Sequence, residues 1–176
     1  MSLNLRIILS ATLVLLVFIS LTALTLERAF SDSAESALRD KMTTQLYVLM
    51  AAAEVDENGL IMPTDELDAL LGLPSSGVYA YVTSKSGEIL WQSSSVLGAK
   101  PPPPVALGRG EKRSSKTSVG EIDYFTLAYG VNWAPEADAL ALTFIMSTDL
   151  KSLDKQIIRY RATLWGWLLG MAILLL

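Results

Sequence analysis

Two uncharged apolar runs frame this chain, with a long polar stretch between them, and this pattern restricts its fold more than any other feature. Residues 7–26 (IILSATLVLLVFISLTALTL) carry no charge over twenty positions, and residues 162–176 (ATLWGWLLGMAILLL) carry none over fifteen. A helix rises about 1.5 Å per residue, so the first run crosses a hydrocarbon core roughly 30 Å thick and the second covers about three quarters of one. The expected order is a cytoplasmic N-terminus at 1–6, a first transmembrane helix at 7–26, an extracytoplasmic domain at 27–160, and a second transmembrane helix at 161–176 that is cut short within its span. Arg6 before the first run and Glu27 after it orient the N-terminus inward. Arg159 and Arg161 then lie on the outer side of the returning helix, where long basic side chains snorkel toward headgroups. A cleaved leader, with small residues near Ala23, is the rival reading of the first run. That run exceeds the usual apolar core of such leaders, about 7–15 residues, which favours retention as an anchor.

Residues 27–160 hold all 18 acidic side chains and 12 of the 14 basic ones. Their acidic balance argues against a nucleic-acid partner. The chain has neither Cys nor His. Disulfides, thiolate chemistry, a His-based zinc site, a Ser-His-Asp triad and a phospho-accepting histidine are therefore excluded within this sequence. No Ser or Asp has a base at a recognisable spacing, so no catalytic or cofactor-binding residue is expected.

Beyond the first run, residues recur at three- and four-residue steps through Phe30, Ala34, Ala37 or Leu38, Met42, Gln45 or Leu46, Leu49 and Ala53. This stripe predicts a helix that continues the membrane span as one rod, covering a sheet with its distal half and pairing with a second copy of the chain nearer the membrane. Asp56-Glu57-Asn58-Gly59 ends it in a turn. A short helix follows, with Thr64 as its cap and a stop at Gly72 or Pro74. Val78 to Thr83 and Ile89 to Ser93 read as a hairpin around Lys85-Ser86-Gly87-Glu88. Four prolines at 101–104 form an extended spacer, and 108–118 (GRGEKRSSKTS) reads as a polar loop. Residues 121–130 form a third strand, 132–138 a turn around Pro135, and 139–147 (ALALTFIMS) the most hydrophobic and hence central strand. An exit helix over 149–160, capped by Thr148, leads into the second span. The fold class is α+β: antiparallel strands covered by helices.

The span running into a long outer helix, the strand SKSGEILWQS at 84–93, the stretch LALTFIMSTDLKSLDKQ at 140–156, and Trp165-Gly166-Trp167 in the second span carry a likeness. Together they resemble the N-terminal sensor region of bacterial two-component sensor histidine kinases, in particular the PhoQ-like group that senses magnesium and antimicrobial peptides. The resemblance implies a PAS-like (PDC) periplasmic domain held between two transmembrane helices. It further implies a multi-pass protein of the bacterial inner membrane that contacts its lipid, a homodimer with a four-helix membrane bundle, an ATP-dependent kinase beyond this sequence, and a cognate response regulator. In that group a dense acidic cluster faces the membrane. Here the corresponding loop offers only Glu136 and Asp138, near a basic stretch of Arg109, Lys112, Arg113 and Lys116. Scattered carboxylates stay hydrated without bridging cations, so repression by Mg²⁺ or Ca²⁺ should be weaker. Asp149 matches a carboxylate of the family; the polar Asn that the family carries in its second span is missing here, and Thr163 is the only polar uncharged side chain in that run that could do related work. A chemoreceptor or cyclase receptor with the same outer domain, or a non-enzymatic membrane-anchored envelope scaffold, are the alternatives. The residues after position 176 separate them: H-E-x-x-x-P marks a kinase, a long coiled coil a chemoreceptor.

Two acidic groups remain as candidate cation ligands, Asp65 with Glu66 and Asp68, and Glu121 with Asp123, though helix capping and a solvated strand face explain them as well. Tyr79, Tyr81, Trp91, Tyr124, Phe125, Tyr129 and Phe144 fill a core or line a small-molecule pocket. Trp165 and Trp167 fall where aromatic side chains anchor a helix in the headgroup zone.

Overall fold

A computed structural model describes residues 3–56, 59–62, 67–133 and 140–175. The chain forms two compact units, one of residues up to Ala37 together with those from Ser152 onward, the other Leu38–Lys151. Helix α1 (Leu3–Ala52) is unbroken through the apolar run and the stripe beyond it, as the rod predicts. It contains no Gly or Pro. Its hydroxyls turn inward: Thr22 donates to the Phe18 carbonyl at 2.9 Å and Thr25 to that of Leu21 at 2.8 Å, which suits an apolar environment. Among the described residues, α1 is the one helix long and apolar enough to cross a membrane. Helix α3 (Lys151–Leu175) is a second long helix, and by length and composition its described part is not shown as a second crossing.

The second unit is built on a five-stranded antiparallel sheet in the order β4-β3-β7-β6-β5. These strands are β3 (Val78–Ser84), β4 (Ile89–Gln92), β5 (Lys112–Val119), β6 (Ile122–Trp133) and β7 (Leu140–Asp149). The most hydrophobic strand, β7, is central as expected and is buried continuously from Leu142 to Thr148. Both faces must therefore be covered. On one face lie Ala80, Val82, Leu127, Phe144 and Met146, which alternate in register across three strands. The distal part of α1 covers it: Met42, Leu46 and Leu49 are each 1% exposed, and the Arg39 guanidinium stands 5.7 Å from the centre of the Phe125 ring. On the other face Tyr79, Tyr81, Tyr124, Ala128 and Ile145 pack with Leu107 and, at the margin, Val96 and Val105. The chain between β4 and β5 supplies that cover. It is irregular through the four prolines, as a spacer would be, yet it is tied down. The Ala80 amide donates to Ser93 Oγ and the Leu107 amide to Thr143 Oγ1, each at 2.9 Å.

Three expectations are corrected. Residues 112–118, read as part of a loop, belong to β5, an edge strand paired along its length with β6. An edge strand needs only one partner and tolerates a run of Lys, Arg and Ser that would be costly inside a sheet. A small hairpin of β1 (Glu54–Asp56) and β2 (Gly59–Ile61) stands where only a turn was expected. The described short helix α2 (Ala69–Gly72) is capped by Asp68, whose Oδ1 accepts from the Leu70 amide at 3.0 Å; Thr64, the expected cap, lies outside the described residues. Thr148 is not a cap for α3. It is part of β7, and its hydroxyl donates to the Gly77 carbonyl at 3.1 Å. The turn around Pro135 lies outside the described residues, and β6 runs on to Trp133 before it.

The turn leading into β5 is tied to β6 at Gly130. The Gly110 amide donates to the Gly130 carbonyl at 2.8 Å, and the Gly130 amide to the Glu111 carbonyl at 2.9 Å. A Cβ at position 130 would stand 2.2 Å from the Gly108 carbonyl oxygen. Gly130→Ala is therefore expected to destabilise this unit by about 1–3 kcal/mol. Chemical denaturation should show the lower midpoint and hydrogen exchange a loosened β5; wild-type values in both would contradict the packing described.

Candidate functional site

A cleft of about 660 Å³ opens where the sheet meets the start of α3. One wall is Gly98, Ala99 and Lys100; the other is the tight β5–β6 turn from Val119 to Ile122. Tyr79, Tyr124 and Asp149 line it from the sheet, and Lys151 stands at the first position of α3. Backbone conformation shapes the rim. Gly120 takes a φ of +64° in the hairpin turn, a region that favours glycine. Ser75 is the described non-glycine residue with positive φ, at 54°. It is held there by its amide, which donates to the Ser95 carbonyl at 2.9 Å, and by its hydroxyl, which donates to that of Leu97 at 3.2 Å. Gly77 takes a φ of +89°, a region that favours glycine, and a Cβ there would stand 2.9 Å from Asp149 Oδ2. The Asp149 amide also donates to the Gly77 carbonyl at 2.8 Å. Asp149 is thus fixed at the end of β7, with only Leu150 between it and α3.

The Tyr79 and Tyr124 rings tilt against each other with centres 6.1 Å apart, and their residues are 4% and 2% exposed. Burial pushes both phenols above the ordinary tyrosine value of 10.0. The charge of Asp149 raises both further, Tyr124 adds to the effect at Tyr79, and a Gly77 backbone hydrogen bond opposes it there. Tyr81 behind them is raised by burial and then by its two tyrosine neighbours. At neutral pH these groups are proton donors. Away from the cleft, the exposed Glu111 carboxyl is held below its usual value, first by the Gly108 amide at 3.1 Å and then by Arg113 at 2.7 Å. The cleft combines two ammonium groups, two carboxylates and buried phenols, a set suited to binding.

The other residues singled out by the sequence are scattered. Glu136, Asp138, Asp65 and Glu66 lie outside the described residues. Asp68 is engaged, its Oδ2 accepting from Gln45 Nε2 at 2.5 Å in addition to its capping bond. Glu121 lines the cleft, whereas Asp123 accepts from the Ser118 hydroxyl. Among the described residues no group of three or more carboxylates converges on a point. The Thr163 hydroxyl is directed back at the Arg159 carbonyl, 2.9 Å away, within α3. Trp165 is 36% and Trp167 73% exposed on the same helix.

Within the unit formed by the proximal part of α1 and most of α3, sequence reasoning missed a pair of contacts. Phe30 and Tyr160 stack with centres 3.9 Å apart and planes within 8°. Arg161, expected to reach toward headgroups, forms an ion pair with Glu27. Ala23 is completely buried in this unit. No local spacing links positions so far apart in the chain. The opposite charges of Glu27 and Arg161 at the inner ends of the two apolar runs were the available clue.

No known protein-family profile matches the chain, and no solved structure matches it. Among curated proteins it is similar to the two-component sensor PhoQ of Pseudomonas aeruginosa, at 25% identity over 177 aligned positions. The alignment covers 99% of this chain and 39% of that relative's length. The PhoQ-like resemblance read from the residues is found in this comparison.

The tyrosine environment gives a pH dependence with a definite sign. The folded state retains the phenolic protons above pH 10.0, where an unfolded chain loses them, so their contribution to stability is intact below that pH and is lost as pH rises through the raised folded values. Ultraviolet titration should show tyrosinate absorbance from these groups emerging late, accompanied by loss of stability. Tyr124→Phe should remove one late-titrating group, and an ordinary midpoint for every tyrosine would contradict the site.

Proposed function

We propose that this chain is the signal-receiving region of a two-component sensor histidine kinase in the bacterial inner membrane. The observation that carries the reading is the likeness to PhoQ along 99% of the chain, which spans both apolar runs and the domain between them. In this reading α1 and α3 both cross the membrane, and the sheet domain is periplasmic. Support for the second crossing comes from Trp167, Leu169 and Met171 of α3, which are 73%, 60% and 53% exposed, apolar surface that lipid would cover. A five-stranded antiparallel sheet with a long N-terminal helix on one face supports a PAS-like (PDC) assignment. The receptor acts as a homodimer, and a stimulus stabilises one arrangement of its membrane helices over another. ATP-dependent phosphorylation and transfer to a response regulator belong to the region beyond position 176. Mg²⁺ or Ca²⁺ acts as a weak input through Glu136 and Asp138; replacing them with Gln and Asn while titrating magnesium at constant ionic strength reads their share.

The architecture is tested with reporter fusions in bacterial cells. A reporter that works only outside the cytoplasm should be active when inserted at Gly108 and silent when fused after Leu176. Cytoplasmic reporting from Gly108, or extracytoplasmic reporting from the C-terminal fusion, would refute the two-span reading.

A further inference from the structure

The cleft beside Asp149 has a composition that selects its occupant. Lys100 and Lys151 bring positive charge to it, while Asp149 and Glu121 bring negative charge. A simple anion meets the carboxylates, and a simple cation meets the ammonium groups, so neither is served by the whole site. Tyr124 supplies a third element. Its residue is 2% exposed and its side chain lines the cleft, yet its hydroxyl makes no hydrogen bond among the described residues. No fully buried side-chain oxygen in the described structure is left without a partner. The Tyr124 hydroxyl therefore opens on the cleft, as a donor with no protein acceptor. The glycines of the rim, Gly98 at a φ of +77° and Gly120 at +64°, leave the walls low and let a ligand approach the backbone. The volume of about 660 Å³ falls within the range of roughly 300–1,000 Å³ common to small-molecule sites.

We propose that this cleft binds a small zwitterion, a molecule of amino-acid to dipeptide size carrying both an ammonium and a carboxylate. The ammonium faces Asp149 and Glu121; the carboxylate faces Lys100 and Lys151 and accepts from the Tyr124 hydroxyl. Because Asp149 ends β7 and Lys151 begins α3, the occupant touches the junction through which the sheet continues into that helix. The proposal is independent of the kinase reading, since binding is measured directly.

The whole chain, reconstituted in lipid nanodiscs, is titrated calorimetrically with L-serine, L-glutamine and L-alanyl-L-alanine, with succinate and cadaverine as probes of a single charge sign. Saturable binding is expected for a zwitterion and not for either control. Tyr124→Phe keeps the ring and removes the donor; Lys100→Gln replaces an exposed side chain, so it decides the matter if the first variant folds poorly. Each should weaken binding by about tenfold or more, as expected for loss of a hydrogen bond or charge pair to an ionised group. Lys85→Gln, in the β3–β4 turn outside the cleft, should bind as wild type. No saturable binding of any of the three zwitterions, undiminished binding in the Lys100 variant, or equally tight binding of succinate or cadaverine would each overturn the proposal.

Discussion

The double burial of β7 is the constraint on which the rest of the structure depends. Seven consecutive buried residues leave this strand no solvent face, so it needs a layer above, a layer below and a partner on each edge. The edges are met by β3 and β6, which pair with it along nearly its whole length and satisfy its backbone donors and acceptors. One layer is the distal part of α1 and the other is the connection after β4. The polar residues in β7 are accommodated by the same neighbours: Thr143 accepts from the Leu107 amide, Ser147 lies 3.0 Å from the Thr126 hydroxyl, and Thr148 donates to Gly77. Each of these bonds ties another segment to the central strand, so the polar atoms inside the sheet also fix its cover.

Signals of composition and period proved legible in the sequence, while pairings between distant positions did not. The unbroken α1, the β3–β4 hairpin and the central place of β7 follow from helix propensity, a turn containing Gly87 and sheer hydrophobicity. Residues 112–118 misled because their side chains are polar on both faces; strand formation there is decided by the free edge of β6, which no local pattern announces. Of the candidate site, Asp149, Glu121 (paired with Asp123) and the tyrosines Tyr79 and Tyr124 were anticipated, but apart from one another. Their meeting with Lys100 and Lys151 arises from strand register and from the loop crossing the sheet, information that exists only once the chain is folded.

On the proposed reading the two units supply complementary parts of a receptor. In one, β7 passes into α3 within a single residue, beside a cleft whose charges are fixed by the fold. In the other, α1 and α3 are joined by an aromatic stack and an ion pair, Phe30 with Tyr160 and Glu27 with Arg161. Stacked rings of this size contribute about 0.5–1.5 kcal/mol beyond their buried area. Energies of that order are enough to bias an equilibrium between two helix arrangements severalfold without locking it. The proposed role requires reversibility, and contacts of modest strength between these helices are suited to that.

The central claim is that this region controls a kinase through its two long helices. The most direct measurement joins residues 1–176 to the cytoplasmic part of the Pseudomonas aeruginosa relative and follows phosphorylation of its response regulator in cells. Phe30→Ala with Tyr160→Ala should change the phosphorylated fraction severalfold while the amount and membrane orientation of the receptor stay constant. A phosphorylated fraction unchanged by loss of the stack, in a chimera that remains active, would contradict control through these helices.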